Sequence, residues 1–417
     1  MTMQLVARQS VSPSISQVMD FRPAASGGQV GTKRPPKVLH ITPSIGGGGA
    51  EAMLCNLVQA MHDSAWHSVV IAINGTAWPD RAAHLQRFCD DYYDLEASSF
   101  LKPSVWEQIR AIINAEQPDV VQTWMHHADF VGGLCAWSCG IKNIVWGVHC
   151  REIHRNPGES RIRSAVFRKG LGLISRFVPS RIISCSAAAI DDHKGMGYPA
   201  KKMAWVPNGV RTDRFRPNSD VGASRREGLG IPGNAPVVGF VGRFHEMKRL
   251  DCFFEAAALL LQDRPDAHFL LCGGVESDLD AEASIAFSAV APRDRVHFLP
   301  FHSDIERLYP AMSVFTLTSR TEACPMTLLE AMACGVPCVA TDVGDCARLV
   351  DDPSAIVPPG DVPALVAAWI RAIDLDQSQR DALRFKSCVR AEQQFSIRQA
   401  ALAYEAVYQS LISVPAP

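Results

Sequence analysis

Short runs of apolar and β-branched residues alternate with longer stretches of helical periodicity along most of this chain. In its first half, Val38 to Thr42 precedes Ala50 to Met61, and Val120 to Thr123 precedes Phe130 to Cys139. Strands that alternate with helices form parallel sheets with helices on both faces, because each parallel pair needs a crossover connection. The first half of the sequence therefore predicts a doubly wound α/β domain.

A second series of the same kind follows an interruption rich in proline and glycine. It begins with Val237 to Val241 and Leu250 to Leu261 and extends to Pro363 to Ile373. Proline and glycine disfavour regular elements, so the interruption at 206–236 predicts an irregular interdomain connection. A chain of 417 residues is also long enough for two cores, since one domain commonly holds about 100–200 residues.

The two ends of the chain differ from the middle. The opening is rich in Ser, Gly, Pro and Gln, which predicts a disordered tail. Near the end, Ile397, Ala400, Ala401 and Tyr404 share one helix face, which predicts a packed helix. The predicted segments are a tail at 1–36, a Rossmann-like domain at 37–205, a linker at 206–236, a second Rossmann-like domain at 237–390, and a final helix and tail at 391–417.

Composition excludes several classes of protein. The formal net charge is -2, which gives no basic field for nucleic acid. Neither a signal peptide nor an apolar run of about 18 residues is found, so we expect a cytoplasmic protein. The 13 cysteines are scattered through apolar segments, which favours reduced core residues. Pairs such as Cys135 with Cys139 and Cys334 with Cys338 lack the spacing of a zinc site, so no metal is predicted.

Four consecutive glycines, Gly46, Gly47, Gly48 and Gly49, lie between the first strand and the first helix. Without side chains, they allow backbone N–H groups to approach an anion at a helix N-terminus. The segment lacks the spacing of a dinucleotide site and the lysine of a P-loop. We expect either a plain strand-to-helix turn or a cleft loop that contacts a phosphate or an acceptor.

Two cations, Arg243 and Lys248, follow the first strand of the second series. Open α/β sheets bind ligands at the carboxyl ends of their strands. A guanidinium can bind two phosphate oxygens at once, and an ammonium adds a compact charge. The pair is therefore suited to a diphosphate, although two solvated loop cations would produce the same pattern.

Two carboxylates, Glu322 and Glu330, follow the predicted strand Ser313 to Leu317. Pro325 suits the first turn of a helix and Gly335 its end, so Glu322 is expected at the sheet edge and Glu330 on that helix. Carboxylates accept several hydrogen bonds and are matched to sugar hydroxyls, including a ribose diol. A solvated helix face is the alternative, but the residues around Glu330 are apolar.

These segments together resemble the retaining glycosyltransferases of family 4, which have the GT-B fold. The resemblance rests on Gly242 and Arg243 with Lys248, on the spacing of Glu322 and Glu330, and on the run Val206-Pro207-Asn208-Gly209-Val210. It covers 37–412. It implies two Rossmann-like domains that face a central cleft, an acceptor side in the first, a nucleotide-sugar site in the second, and a C-terminal helix that crosses back to the first.

The resemblance also implies roles for individual residues. Arg243 and Lys248 would hold the donor diphosphate, Glu330 the nucleotide ribose and Glu322 the transferred sugar. The donor-binding residues would further include the loop after Glu322, which comprises Ala323, Cys324, Pro325 and Met326. Ala323 and Met326 stand where the family usually has Gly and Asn, so the identity of the sugar is left open.

A histidine of the first domain contacts the reacting sugar in this family. His126 and His127 are the catalytic candidates, in a segment where Gln122 and Trp124 replace histidines that are common in the family. His149, at the end of the next strand, and Asn208 are further candidates for the cleft. Each histidine could equally be an ordinary polar residue at the cleft edge.

The implied reaction moves a hexose-type sugar from a nucleotide diphosphate-sugar to a glycan or lipid-linked acceptor, with retention, in cell-surface or extracellular polysaccharide synthesis. Loss of the diphosphate develops negative charge that fixed cations stabilise. Arg243 and Lys248 can supply them, so neither a cofactor nor a metal is expected. A nucleotide-sugar 2-epimerase and a non-catalytic nucleotide-sugar-binding protein are the alternatives.

The segment Arg151 to Arg181 is rich in arginine and also carries apolar residues such as Val166 and Phe177. Basic and apolar residues on one helix are typical of contact with an anionic membrane surface. A solvated helix packed on the first domain is the alternative. Membrane contact would place the protein at the inner face of the cytoplasmic membrane.

Overall fold

Two parallel sheets packed with helices form the frame of the protein. They are seen in a computed structural model that describes residues 34–152, 160–302 and 304–413. The N-terminal sheet has the order β3-β2-β1-β4-β5-β6-β7, and the C-terminal sheet has the order β10-β9-β8-β11-β12-β13. The predicted fold of two doubly wound α/β domains is confirmed.

In the described residues, the N-terminal domain has seven strands and six α-helices. The strands are β1 (Lys37–Thr42), β2 (His67–Ala72), β3 (Asp91–Asp94), β4 (Val120–Thr123), β5 (Ile144–Val148), β6 (Arg181–Ser184) and β7 (Met203–Trp205). The helices are α1 (Gly49–Met61), α2 (Pro79–Phe88), α3 (Pro103–Glu116), α4 (Met125–Ser138), α5 (Arg161–Ile174) and α6 (Ala187–Gly195). Successive residues of β1 face opposite sides of the sheet, so Val38 and Leu39 belong to two different hydrophobic clusters.

The C-terminal domain follows the same plan. Its strands are β8 (Val237–Val241), β9 (His268–Cys272), β10 (Val296–Leu299), β11 (Val314–Leu317), β12 (Cys338–Thr341) and β13 (Ile356–Val357). The helices in and before this domain are α7 (Ser219–Gly228), α8 (Leu250–Asp263), α9 (Ala281–Ser288), α10 (Met326–Ala333), α11 (Cys346–Val350), α12 (Val362–Ile373) and α13 (Gln377–Phe395). Because β8 and β11 are neighbours, their carboxyl ends meet at one edge of the sheet.

The last helix, α14 (Ile397–Ile412), returns to the N-terminal domain. At the crossing, Val210 and Ser396 pair through an isolated β-bridge. Beyond it, the apolar face of α14 joins a hydrophobic cluster that contains Val38 of β1. Ala400, Ala401, Tyr404 and Tyr408 are the buried members of that face. The predicted crossing helix is confirmed.

The sequence had predicted an irregular connection at 206–236. The structure differs, because this segment contains helix α7. The Asn218 side chain caps this helix by accepting a hydrogen bond from the N–H of Val221 at 3.1 Å. Within the helix, Arg226 donates hydrogen bonds to the carbonyl oxygens of Ala235 and Ala311, both at 2.8 Å. Capping and this anchoring outweigh the two glycines of the helix, which count against helix formation.

Three further predictions concern the whole chain. Most of the tail predicted at 1–36 lies outside the described residues. All 13 cysteines are free thiols and most are buried, as expected for core residues. Burial raises the pKa of Cys272, for example, to about 11. Within the described ranges, no helix combines the length and apolar character needed to span a bilayer.

Candidate active site

An ion pair joins the loops that follow β8 and β11, at the carboxyl ends of these two strands of the C-terminal sheet. Lys248 Nζ lies 2.5 Å from Glu322 Oε1, and Ser319 Oγ donates to the same oxygen at 2.7 Å. The backbone strengthens the connection, since Thr318 Oγ1 donates to the Lys248 carbonyl oxygen at 2.7 Å. Residues 318–325, called here the Glu322 loop, are thereby held beside Lys248.

Arg243 comes directly after β8, and its side chain is exposed. Within the described part of the chain it takes part in none of the salt bridges. The same sheet edge therefore carries one paired cation, Lys248, and one cation that is available to a ligand. Sequence reasoning had predicted both at this position.

Glu330 lies on α10 at the bottom of a cavity of about 310 Å³ between the domains. Its side chain is buried and accepts a hydrogen bond from the Tyr309 hydroxyl at 2.6 Å. Burial raises the pKa of Glu330 to about 7, whereas Tyr309 and the charges of Arg214 and Arg81 act in the opposite direction. The predicted helix carries this residue and ends at Ala333, shortly before Gly335, whose φ is +70°.

The glycine loop, Gly46 to Gly49, is held by Trp78 and Arg81, which line the same cavity. Arg81 donates to the carbonyl oxygens of Gly46 and Gly48. The indole of Trp78 packs on Gly47, where a methyl group would overlap it. At the end of the loop, a methyl on Gly49 would lie 3.5 Å from Met326 Cγ, so the glycine loop abuts the start of α10.

Trp78 also contacts the C-terminal domain. Its ring centroid lies 4.0 Å from that of Phe301, and the Arg81 guanidinium lies over its face at 5.0 Å. Sequence reasoning missed Trp78, Arg81, Phe301 and Tyr309, because none of them belongs to a recognisable motif. The only available signal was the position of Trp78 one residue before Pro79, at the start of α2.

His149 lies near Asn208, which contacts the Glu322 loop. Asn208 Nδ2 donates to the Cys324 carbonyl oxygen at 2.7 Å. The imidazole of His149 stacks on Trp124 at 4.7 Å. Burial lowers the pKa of His149 to about 4, and the neighbouring Asn208 side chain acts in the opposite direction. The ring is therefore neutral at physiological pH.

His126 and His127 have partners within the N-terminal domain. His126 Nε2 lies 2.9 Å from His193 Nε2, and its Nδ1 lies 3.6 Å from Cys150 Sγ. The ring of His127 lies 4.6 Å from that of Phe100, tilted by 44°. Their assignment to the sugar stays a prediction, whereas His149 is the histidine next to a contact with the Glu322 loop.

Among the residues that the structure describes, no cluster of three or more His, Cys, Asp or Glu side chains could hold an ion. The charged side chains that line the cavity include Arg81, Arg211, Arg214 and Glu330. They are suited to a phosphorylated ligand that carries hydroxyl groups.

The two facing sheets, the crossing helix and this cleft define the GT-B architecture. Among solved structures, Anabaena Alr3699/HepE in complex with UDP and glucose aligns with a TM-score of 0.77 at 20% identity, over 90% of this chain and 100% of that one. At that identity, the likeness demonstrates the fold alone.

Sequence comparison identifies the family. The model "Glycosyltransferase Family 4" matches residues 47–214, and the model "Glycosyl transferases group 1" matches residues 235–374. The chain belongs to the group 1 glycosyltransferases of family 4.

Two curated relatives have narrower descriptions. The lipopolysaccharide core biosynthesis mannosyltransferase LpsB of Rhizobium meliloti (strain 1021) is 33% identical over 219 residues, which are 50% of this chain and 62% of LpsB. The match thus spans less than two thirds of LpsB. The UDP-Gal:alpha-D-GlcNAc-diphosphoundecaprenol alpha-1,3-galactosyltransferase of Escherichia coli is 23% identical over 308 residues, 68% of this chain and 77% of that protein.

Proposed function

We propose that this protein is a retaining glycosyltransferase that moves a hexose-type sugar from a nucleotide diphosphate-sugar to a glycan or lipid-linked acceptor in cell-surface polysaccharide synthesis. The observation that carries the proposal is the ion pair of Lys248 with Glu322 where β8 and β11 end side by side, with the exposed Arg243 in the same loop as Lys248. Family membership and the two relatives' descriptions agree with it.

In the proposed reaction, the cations act on the departing diphosphate. The Lys248 ammonium has three donors, so it can keep Glu322 and still bind a phosphate oxygen. Arg243 can bind two oxygens at once. Charge that develops on the leaving group then meets groups already in place, which lowers the barrier without a divalent ion.

The carboxylates and a histidine would position the two sugars of the donor. Glu330 is suited to the ribose because it lies at the bottom of the cavity, and Glu322 to the transferred sugar because Lys248 and Ser319 hold it at the sheet edge. We assign the contact from the N-terminal domain to His149. Its neutral ring can donate one hydrogen bond and accept another from sugar hydroxyls.

A thermal-shift screen against UDP, GDP, ADP and their sugar conjugates, without metal, tests the donor site. A ligand that binds only the folded protein raises its unfolding temperature as its concentration exceeds the dissociation constant. We expect one nucleotide family to stabilise the wild type and to lose this effect in Arg243→Ala and Glu330→Ala. Arg293→Ala, which removes an exposed arginine of the same domain, is the matched control and should respond like the wild type.

The competing functions give different results. If no nucleotide stabilises a well-folded wild type, even with acceptor present, the donor-site assignment fails. Transfer of the sugar to an acceptor excludes a binding protein. A change of sugar configuration without any acceptor would identify an epimerase instead.

We further propose that the acceptor side contacts an anionic membrane through α5. One side of this helix packs inward, with Ser164 and Leu171 buried. The outward side carries Ile162, Val166 and Leu173, and Ile162 is 75% exposed. Spacings of four and seven residues place these three on one face. A soluble helix normally buries its apolar side, so an apolar outer face favours a partner.

The charge around this face favours anionic lipid as that partner. The exposed basic residues of the segment are Arg161, Arg163, Lys169 and Arg176. Basic side chains near such a surface each contribute about 1 kcal/mol of attraction. Part of the arginine-rich segment predicted to form this helix, including Arg155, lies outside the described residues.

Flotation with vesicles of phosphatidylglycerol or phosphatidylcholine tests this contact. The wild type should float with the anionic vesicles and remain at the bottom with the neutral ones. The triple variant Ile162→Ser, Val166→Ser and Leu173→Ser should lose flotation. Phe385→Ser, which removes an apolar side chain that is 72% exposed on the C-terminal domain, should retain it; equal flotation of both variants would exclude α5 as the contact.

A further inference from the structure

Asp345 of the C-terminal domain caps a helix of the N-terminal domain. Its carboxylate accepts hydrogen bonds from Ser186 Oγ at 3.0 Å, from the N–H of Ala187 at 2.8 Å and from the N–H of Ala188 at 3.0 Å. These three groups form the start of α6. Asp345 also begins a helix of its own, α11, yet its side chain makes no capping bond there.

The start of α6 depends on this carboxylate from the other domain. The first N–H groups of a helix lack partners within the helix. Here the N–H of Ser186 donates to Ser184 Oγ, and the N–H of Ala189 donates to Ser186 Oγ. The N–H groups of Ala187 and Ala188, which lie between them, donate to the Asp345 carboxylate. Asp345 is buried. If the domains separated, its carboxylate and the two N–H groups would lose their hydrogen bonds to each other and would have to be solvated by water.

The backbone of Asp345 is attached to the Glu322 loop. Its N–H donates to the Ala323 carbonyl oxygen at 3.0 Å. The preceding residue, Gly344, has a φ of +57° and packs so closely that a methyl group would overlap the carbonyl oxygens of Glu322 and Ala323. The next carbonyl along, that of Cys324, accepts from Asn208. The carbonyls of Glu322, Ala323 and Cys324 are thus held in place by the backbone of Gly344 and Asp345 or by Asn208 of the linker.

We propose that Asp345 is a positioning residue that couples closure of the domains to the placement of Glu322. When its carboxylate binds the start of α6, its backbone fixes the loop that presents Glu322 to Lys248. The N-terminal domain, which carries His149, is thereby held at a set distance from the donor side. The role rests on the proposed function, because Glu322 must face a sugar for its placement to affect transfer.

Two variants separate this role from simple stability. Asp345→Ala removes both acceptor oxygens, and Asp345→Asn keeps the size of the side chain but one acceptor oxygen only. Asp361→Ala is the matched control, because Asp361 caps α12 inside the C-terminal domain through the N–H of Ala364. All three should lower the unfolding temperature, since each removes capping interactions.

Distance and kinetics are then measured on the same proteins. Spin labels introduced through unnatural amino acids at the exposed positions Gln108 on α3 and Gln262 on α8 report the separation of the domains by pulsed electron resonance. We expect Asp345→Ala to add a longer-distance population and Asp345→Asn a smaller one. Transfer should show kcat reduced about 10- to 100-fold with the KM for the donor changed by less than about threefold, the pattern of lost positioning.

The control should match the wild type in both measurements. Unchanged distances in both Asp345 variants would overturn the proposal, even if kcat fell. A loss of kcat equal to that of Asp361→Ala would overturn it as well. If the wild type transfers no sugar, the proposed function fails, and the distance distributions still decide whether Asp345 holds the domains together.

Discussion

Glu330 should make this protein less stable as the pH rises towards neutrality. Burial raises the pKa of its carboxyl from 4.5 to about 7. Between these values the folded protein holds a proton that the unfolded chain has already released. The free energy of unfolding therefore falls as the pH rises through this window, and the loss is complete above pH 7. Glu330→Gln removes the ionisation and keeps an oxygen that accepts from Tyr309.

The size of the effect follows from the shift in pKa. A change from 4.5 to about 7 corresponds to about 3 kcal/mol, at about 1.4 kcal/mol per unit. At pH 5 the two proteins should be nearly equal in stability, and at pH 8 the variant should be more stable by up to about 3 kcal/mol. The same variant should bind the donor nucleotide about tenfold or more weakly, because the ribose loses a charged acceptor.

Urea unfolding followed by circular dichroism at pH 5, 6, 7 and 8 measures the difference. Glu282→Gln, an exposed position on α9, serves as the control and should show no pH-dependent difference from the wild type. Tyr309→Phe should move the fall in stability to higher pH, because Tyr309 donates to the charged form. A Glu330→Gln variant that is less stable at pH 8, or a difference that does not vary with pH, would refute the reasoning.

Three other predictions follow from the site and the core beside it. Gly47→Ala should cost about 1–3 kcal/mol and slow transfer, because its methyl overlaps Trp78, whereas Gly49→Ala should be tolerated; differential scanning fluorimetry and a transfer assay compare the two, and equal behaviour would contradict the packing argument. His149 should give no titration in the pH–rate profile above pH 5, because its pKa is about 4; a kinetic pKa near neutrality that disappears in His149→Gln would show otherwise. Burial raises the pKa of Asp129 from 3.8 to about 8, so Asp129→Asn should gain stability relative to the wild type from pH 4 up to pH 8; a constant difference in urea unfolding would be evidence against this.

The sequence predicts the fold where each element has its own apolar pattern. Strands such as β1 and β8 are continuous apolar runs, so their place in a buried parallel sheet follows directly. The edge strand β3 was missed because Asp91 and Asp94 enclose only two aromatic residues. Helix α7 was missed because its glycines predict a break. One of them, Gly222, is explained by tertiary packing. A methyl on Gly222 would overlap the Pro310 carbonyl.

The candidate site was predictable to the extent that its residues lie at strand ends. Lys248 and Glu322 follow neighbouring strands, so their meeting could be expected from topology. The partners of Asp345 are mainly backbone N–H groups, which have no counterpart in the sequence pattern. Trp78 packs against a glycine, so its position depends on the absence of a side chain. Contacts of these two kinds become visible only in three dimensions.

The return of α14 to the N-terminal domain affects the order in which the protein can fold during synthesis. Val38 leaves the ribosome among the first residues of the core, whereas Tyr404 and Tyr408, which complete the same hydrophobic cluster, leave only after the C-terminal domain. Until then, one apolar face of the N-terminal sheet, which α1 also covers, lacks part of its cover. The N-terminal domain is therefore completed only after the C-terminal domain has been synthesised, and a chain that stops before Ser396 should present an aggregation-prone surface to the chaperones that receive it.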